Sequence, residues 1–327
     1  MKICVTGGTG FTGAALVERL LELGHEVSVL DKNPGIALDQ LKQKGAQISL
    51  GSVTSRDEVA KSVAGCEVVF HVAAAFRELN VPDSVYFEAN VEATRIVAEE
   101  SIKVGARKLI YCSTQGVHGH IDNVPGNEES PIEPEDYYQQ TKYEGELALE
   151  AFKDQIEYCT LRPTAIYGPG DPARFLMIFK RVNKGKFMMF GDGKTYYHPL
   201  YIDNLVDAFI LSMEPGVGAY EEYIIGDEDY LSIEDLVKRV GKALGVNVKV
   251  PHYPIFPLIV AGHICEKVCK PFGISPPIFP RRVDWFRQVR AFSIDKAKKD
   301  LGYAPKVNID DGLKKTGDWY KKNGYLT

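Results

Sequence analysis

Thr6-Gly7-Gly8-Thr9-Gly10-Phe11-Thr12-Gly13 lies directly between a β-branched run, Ile3 to Thr6, and the apolar-periodic stretch Ala14 to Leu23. A glycine-rich segment in that position closes a tight strand-to-helix turn, lets the backbone approach a pyrophosphate, and leaves the first helical amides facing its charge. Three glycines alone would be a weak sign. Set between strand and helix they read as a dinucleotide cradle, with Gly7, Gly10 and Gly13 as its candidate residues. The next run, Glu26 to Leu30, ends in Asp31, about 20 residues beyond the glycines, where a carboxylate accepts hydrogen bonds from the adenosine ribose. That carboxylate repels a 2′-phosphate, so the sequence favours NAD over NADP; the adjacent Lys32 offsets part of the repulsion.

Outward from that turn, short strand-like runs alternate with helical patterns. Ile36 to Lys44, Gln47 to Leu50, Val68 to Val72, Asn90 to Val104, Lys108 to Cys112, Tyr138 to Phe152 and Tyr158 to Arg162 follow in order. Such alternation specifies βαβ units and an α/β fold with a doubly wound parallel sheet of Rossmann type. Beyond Tyr167-Gly168-Pro169-Gly170 the spacing loosens, as expected of a smaller C-terminal lobe that grips a substrate. The expected division is an NAD-binding domain over 1–170 and a substrate-binding lobe mainly over 171–327, with 200–213 returning to the sheet.

With 327 residues, 45% of them hydrophobic, the chain can bury a large core. A net charge of -5 gives no basic face for nucleic acid, and no such partner is expected. The six cysteines are scattered, four of them in or beside apolar strand-like runs, so reduced thiols are expected. Cys265 and Cys269 stand one helical turn apart without a second ligand pair, and no metal site is expected. The chain opens on a strand, which points to a cytoplasmic protein. No stretch reaches the ~18 apolar residues of a membrane span; Ile255 to Cys265 comes nearest, and peripheral contact with a membrane surface stays open.

Tyr138-Gln139-Gln140-Thr141-Lys142 sets a phenol and an ammonium four residues apart, on one face of a helix. A free phenol titrates near 10, so a tyrosine base needs its phenolate stabilised by about 1.4 kcal/mol for every pH unit it is brought down. Lys142 and the positive nicotinamide ring can supply that field. Thr114, just after the strand Lys108 to Cys112, can hydrogen-bond the reacting oxygen. With 17 tyrosines in the chain, roughly one such pair arises by chance; its position after a strand ending in Ser113-Thr114 is what singles it out.

In this order the residues resemble the extended short-chain dehydrogenase/reductase superfamily, the NAD-dependent epimerase/dehydratase family, over nearly the whole chain. The similar segments are Thr6 to Gly13, His71-Val72-Ala73-Ala74, Asn90-Val91-Glu92-Ala93-Thr94, Tyr111-Cys112-Ser113-Thr114, Tyr138 to Lys142, Leu161-Arg162-Pro163-Thr164, Phe190-Gly191-Asp192-Gly193 and Asp300 to Pro305. The resemblance implies an NAD enzyme with Thr114, Tyr138 and Lys142 as catalytic residues. It also implies that Phe11 and Thr12 lie along the pyrophosphate, Ser52 and Val53 near the adenine, Ala73 and Ala74 beside the ribose, and Pro163 near the nicotinamide, with Asn90 in the same cofactor site. Ser52 departs from the pattern, because relatives usually carry Asp there. A dimer through the helices Asn90 to Val104 and Tyr138 to Phe152 is implied by kinship.

Within the superfamily, Val29 to Lys32, Cys159 to Pro163, Ile166-Tyr167-Gly168 with Arg174-Phe175-Leu176, and His198 to Asn204 are similar to the 3β-hydroxysteroid dehydrogenase branch, which includes sterol 4α-carboxylate dehydrogenases. The implied reaction moves a hydride between NAD and a secondary alcohol or ketone on an apolar ring. The alternative is a nucleotide-sugar 4-epimerase. Those enzymes usually have an arginine that clamps the sugar diphosphate where this chain has Tyr197, and a phenol cannot make the bidentate charged contact. Sugar dehydratases follow the threonine with Asp-Glu; here Gln115-Gly116 follow, and neither is an acid or base. A dinucleotide sensor without chemistry is the third reading, disfavoured because Tyr138, Lys142 and Thr114 are all present. Gln115, His118 and Tyr197 are candidate substrate residues, with His118 equally a cap of its loop, and Tyr253 to Gly273 is expected to line an apolar pocket or a membrane-facing entrance, or else to form a buried helix.

Overall fold

The computed structural model describes residues 1–76, 81–171, 174–269 and 283–326. Seven strands form its main sheet: β1 (Lys2–Thr6), β2 (Glu26–Asp31), β3 (Gln47–Leu50), β4 (Val68–His71), β5 (Lys108–Cys112), β6 (Glu157–Pro163) and β7 (Glu222–Ile225). Their order is β7-β6-β5-β4-β1-β2-β3, and every pairing is parallel. From β1 the chain runs outward through β2 and β3, then crosses to β4 on the other side of β1. A crevice opens at such a reversal, outside the carboxyl ends of the strands. Thr6, paired with Leu30 on one side and His71 on the other, marks its floor.

Helices cover both faces, so β4 and β5 are buried along their whole length and mostly apolar, with His71 and Lys108 the polar residues they bury. Ile3, Val5, Val27, Val29, Phe70 and Ile110 form one core with Leu16 and Leu20 of the helix Phe11–Glu22. The helix Ile202–Ser212 adds Leu205, Val206 and Phe209 to the same core, and its Asp207 pairs with Arg19 at 3.1 Å. A second core gathers Phe175, Phe179, Met189, Leu236, Leu313 and Tyr320.

Three local features differ from the sequence reading. β7 had no expected counterpart, being four residues long and starting on Glu222; its pairing with β6 makes it a strand. The helix expected over Asn90 to Val104 is regular only over Ala93–Lys103; Asn90 itself lies in a wide turn, Glu88–Glu92, that follows a short helix, Asp83–Phe87. Wide turns of this kind gather at functional sites. The helix Phe256–Cys269 is not a buried one: Phe256 is 72% exposed, Ile264 and Val268 58% each and Val260 41%. Phe272 and Gly273, expected to continue that segment, lie outside the described residues.

Candidate active site

The glycine turn is built by contacts that only glycine permits. Gly7 holds φ +70°, and a Cβ there would stand 2.7 Å from the Ala73 amide. A Cβ on Gly13 would lie 2.1 Å from the Gly7 carbonyl oxygen, so the helix start could not seat against the strand. Gly10 differs: a Cβ there would meet only the Gly7 oxygen, at 3.4 Å, leaving that side of the turn open for a ligand. Phe11 and Thr12, both half-buried, begin the helix, and Gly170 comes over the Phe11 ring.

Asp31 closes the same turn from β2. Its carboxylate accepts hydrogen bonds from the amides of Thr9 at 2.9 Å and Asn33 at 3.2 Å, which fixes it at the rim of the crevice with acceptor capacity left over. Lys32 is exposed beside it. At Ser52, where relatives usually carry a carboxylate, the chain brings one from elsewhere: Glu58 accepts from the Ser52 amide at 2.7 Å and abuts Gly51. Val53 is half-buried against the neighbouring core. The Ala73 amide donates to Thr6 Oγ1 at 3.3 Å, and Ala74 is exposed.

The helix Tyr137–Glu150 presents the phenol and the ammonium. Its N-cap Asp136 accepts from the Gln139 amide at 2.9 Å, so the helix begins one residue before Tyr138. The Tyr138 ring packs on the exposed Phe76 ring, centroids 4.9 Å apart. Lys142 is only 1% exposed, yet its Nζ has no hydrogen-bond partner among the described residues. Burial brings its ammonium down to about 8, against partial support from Cys112 and Glu146. Thr114 stands half-buried after β5, its Oγ1 accepting from the Gly116 amide at 3.1 Å; its hydroxyl hydrogen stays available to another acceptor.

Asn90, fully buried in the wide turn, is a clamp. Its side chain accepts from the Ala75 amide at 2.8 Å and donates to Thr141 Oγ1 at 3.0 Å, tying the segment after β4 to the helix of Tyr138. Pro163 ends β6 in the interior. Gln115 is buried with an amide oxygen that finds no partner among the described residues. His118 lies in the interior with both ring nitrogens engaged: Nδ1 donates to the carbonyls of Ser130 and Pro131 at 3.0 and 3.2 Å, and Nε2 accepts from Arg162 at 3.2 Å. Burial and the Arg162 charge bring it down to about 4, so it is neutral near pH 7. Tyr197 is buried among Phe175 and Trp285, next in register to Arg290.

The sequence reading missed the polar layer beneath these groups. Glu146, one turn beyond Lys142, is held by the Arg162 guanidinium at 2.6 Å and by the Ser113 hydroxyl, all three buried. His71 is enclosed between Thr6 at 2.7 Å and Thr94 at 3.2 Å and is brought down to about 3, mainly by burial. The signal was available: Arg162 interrupts an otherwise apolar run entering a parallel sheet, and a buried cation there requires a buried partner.

Two observations bear on whether a dinucleotide fits. The side of Gly10 on which a Cβ would stand is open, and a buried lysine with unspent donors stands on the helix that carries Tyr138. Both suit NAD, whose pyrophosphate needs close backbone and whose ribose hydroxyls accept hydrogen bonds.

Comparison with known proteins agrees. Residues 3–226 match the model of the NAD dependent epimerase/dehydratase family. The Arabidopsis thaliana 3beta-hydroxysteroid-dehydrogenase/decarboxylase isoform 1 is 31% identical, over 96% of this chain and 78% of that protein. The Bos taurus sterol-4-alpha-carboxylate 3-dehydrogenase, decarboxylating, is 30% identical over 96% of this chain and 91% of that protein. Among solved structures, the Thermotoga maritima UDP-glucose 4-epimerase with UDP-glucose superposes with a TM-score of 0.79 at 27% identity, covering 99% of each chain.

Proposed function

The chain belongs to the NAD-dependent epimerase/dehydratase family, and from that premise we propose that it oxidises a ring 3-hydroxyl on a steroid-like or other apolar substrate, or reduces the matching ketone. The observation that carries this is the buried, unspent Lys142 ammonium one turn along from Tyr138. Bound NAD supplies the hydride acceptor. Tyr138 takes the hydroxyl proton, Thr114 Oγ steadies the oxygen, and Lys142 holds the ribose and favours the phenolate. Asp31 receives the adenosine ribose hydroxyls. Phe76 gives an apolar flank beside the phenol. Glu58, which accepts from the Ser52 amide, brings a carboxylate beside the segment assigned to the adenine.

The two decarboxylating relatives narrow the substrate class. Oxidising a 3-hydroxyl beside a 4-carboxylate yields a β-keto acid, which loses carbon dioxide readily, so a β-hydroxy acid on an apolar ring is the preferred substrate. A homodimer is proposed through the helices Ala93–Lys103 and Tyr137–Glu150, where Leu147 is exposed and Ile102 and Tyr143 are half-buried. Among the described residues no helix is long and apolar enough to cross a membrane.

A UDP-sugar 4-epimerase is the second reading, favoured by the Thermotoga maritima structure and by Arg290 beside Tyr197. That arginine is engaged by Gln288 at 2.6 Å and Glu135 at 3.4 Å. The two readings separate when purified protein receives NAD or NADP with hydroxysteroids, ring β-hydroxy acids or UDP-sugars. Free NADH from a ring alcohol, with NAD strongly preferred over NADP, is the expected result. Interconversion of UDP-sugars without net reduction would reject the dehydrogenase.

A further inference from the structure

Lys142 lies where a buried ammonium has every reason to find an anion. Glu146 is one turn away on the same helix, the spacing at which a carboxylate and an ammonium pair, yet the two are not bonded. Glu146 is occupied: Arg162, from β6, contacts both of its oxygens at 2.6 to 3.2 Å, and Ser113 holds one of them. What supports Lys142 is the ring of Tyr111 on β5, with Nζ 4.0 Å from the centroid. That ring is fixed from three sides. Its hydroxyl reaches the carbonyls of Asn90 and Lys142 at 3.4 Å, His71 lies against it with centroids 5.6 Å apart, and Gly145 leaves it room, since a Cβ there would stand 2.3 Å from the Tyr111 oxygen.

A ring face stabilises a desolvated cation without accepting its conventional hydrogen bonds. A carboxylate would stabilise the charge more strongly and would consume those donors. Resting on the reading of Lys142 as the ribose ligand, we propose that Tyr111 is a positioning residue: its ring keeps the ammonium charged and in place with its N–H bonds unspent, while Arg162 and Ser113 restrain the one nearby carboxylate that would claim them. The groups that face Lys142 are His71 from β4, Tyr111 and Cys112 from β5, and Glu146 from its own helix. Arg162 acts on it only through Glu146.

The test is the titration of Lys142 in the cofactor-free protein, followed by NMR of isotope-labelled lysine through its Cε resonance and assigned with Lys142→Met. Tyr111→Phe keeps the ring and is expected to titrate close to the parent. Tyr111→Leu is expected to titrate at a pH lower by about one, the loss of a desolvated cation–ring contact. If the leucine variant does not fold, a trifluorinated phenylalanine in place of Tyr111, similar in shape with a weakened ring field, is expected to titrate below Tyr111→Phe. An unchanged titration in the leucine or the fluorinated variant overturns the proposal. Because neither dinucleotide nor substrate is present, this outcome is independent of the catalytic reading. NAD affinity, measured separately by calorimetry, is expected to fall in the ring-weakened variants and to be retained in Tyr111→Phe; an unaltered affinity in all of them would sever the link to the ribose.

Discussion

Tyr138→Phe is expected to cut turnover by a factor of about 10² to 10⁴, the range for losing a positioned general acid or base, while NAD affinity stays within about twofold. Only an oxygen is removed, and the ring keeps its packing on Phe76. The helix that carries it is set independently by its Asp136 cap and by the Asn90 to Thr141 bond. Steady-state rates with a ring alcohol, together with calorimetric NAD binding, measure the two effects separately. Full turnover in the phenylalanine protein would transfer the proton chemistry to another group; loss of NAD binding would mean that the phenol holds the cofactor rather than the substrate.

Lys142→Met is expected to produce two opposite effects. Turnover falls at least about 10²-fold, because the field that favours the phenolate is gone. Stability of the cofactor-free protein rises. A lysine brought from its ordinary 10.5 to about 8 by burial binds its proton less readily when folded than when unfolded, so carrying the charge costs stability at any pH below about 8. That cost is roughly 3 kcal/mol at neutral pH, it fades as pH rises through 8, and it is gone above 10.5. The methionine protein should therefore melt about 4 °C higher at pH 7, with a narrowing difference in alkaline buffer. Thermal unfolding across pH checks this. A variant that melts lower at pH 7 would show that the contacts of the Lys142 ammonium, the Tyr111 ring included, outweigh the cost of its burial.

Much of this was legible in the chain. The glycine turn, the position of Asp31 at the end of β2 and the spacing of Tyr138 and Lys142 are patterns over a short stretch of chain, and such patterns can be read directly from the order of residues. Features that depend on distant partners were not legible. β7 is a strand because β6 offers an edge, not because Glu222 to Ile225 has strong periodicity. The wide turn at Asn90 exists because its amide must reach both Ala75 and Thr141, which no helical pattern reveals. His118 follows β5 closely enough to suggest either substrate contact or a loop cap, and its partner Arg162, 44 residues on, is one that no local pattern reveals. Glu58 reaches the Ser52 amide because the helix Arg56–Val63 brings its carboxylate back to Gly51. The helix Phe256–Cys269 exposes Phe256, Val260, Ile264 and Val268, and hydrophobicity alone does not separate a pocket, a membrane-facing entrance and a core, because it does not say which side of a helix the protein covers.

The most direct test is a crystal structure of the protein with NAD and a ring alcohol bound. Lys142 Nζ should lie within hydrogen-bond distance of the nicotinamide ribose hydroxyls, with the Tyr138 oxygen equally close to the alcohol oxygen and Glu146 still held by Arg162. A dinucleotide bound with Lys142 turned toward Glu146, or with the phenol out of reach of the alcohol, would contradict the chemistry assigned to this pair.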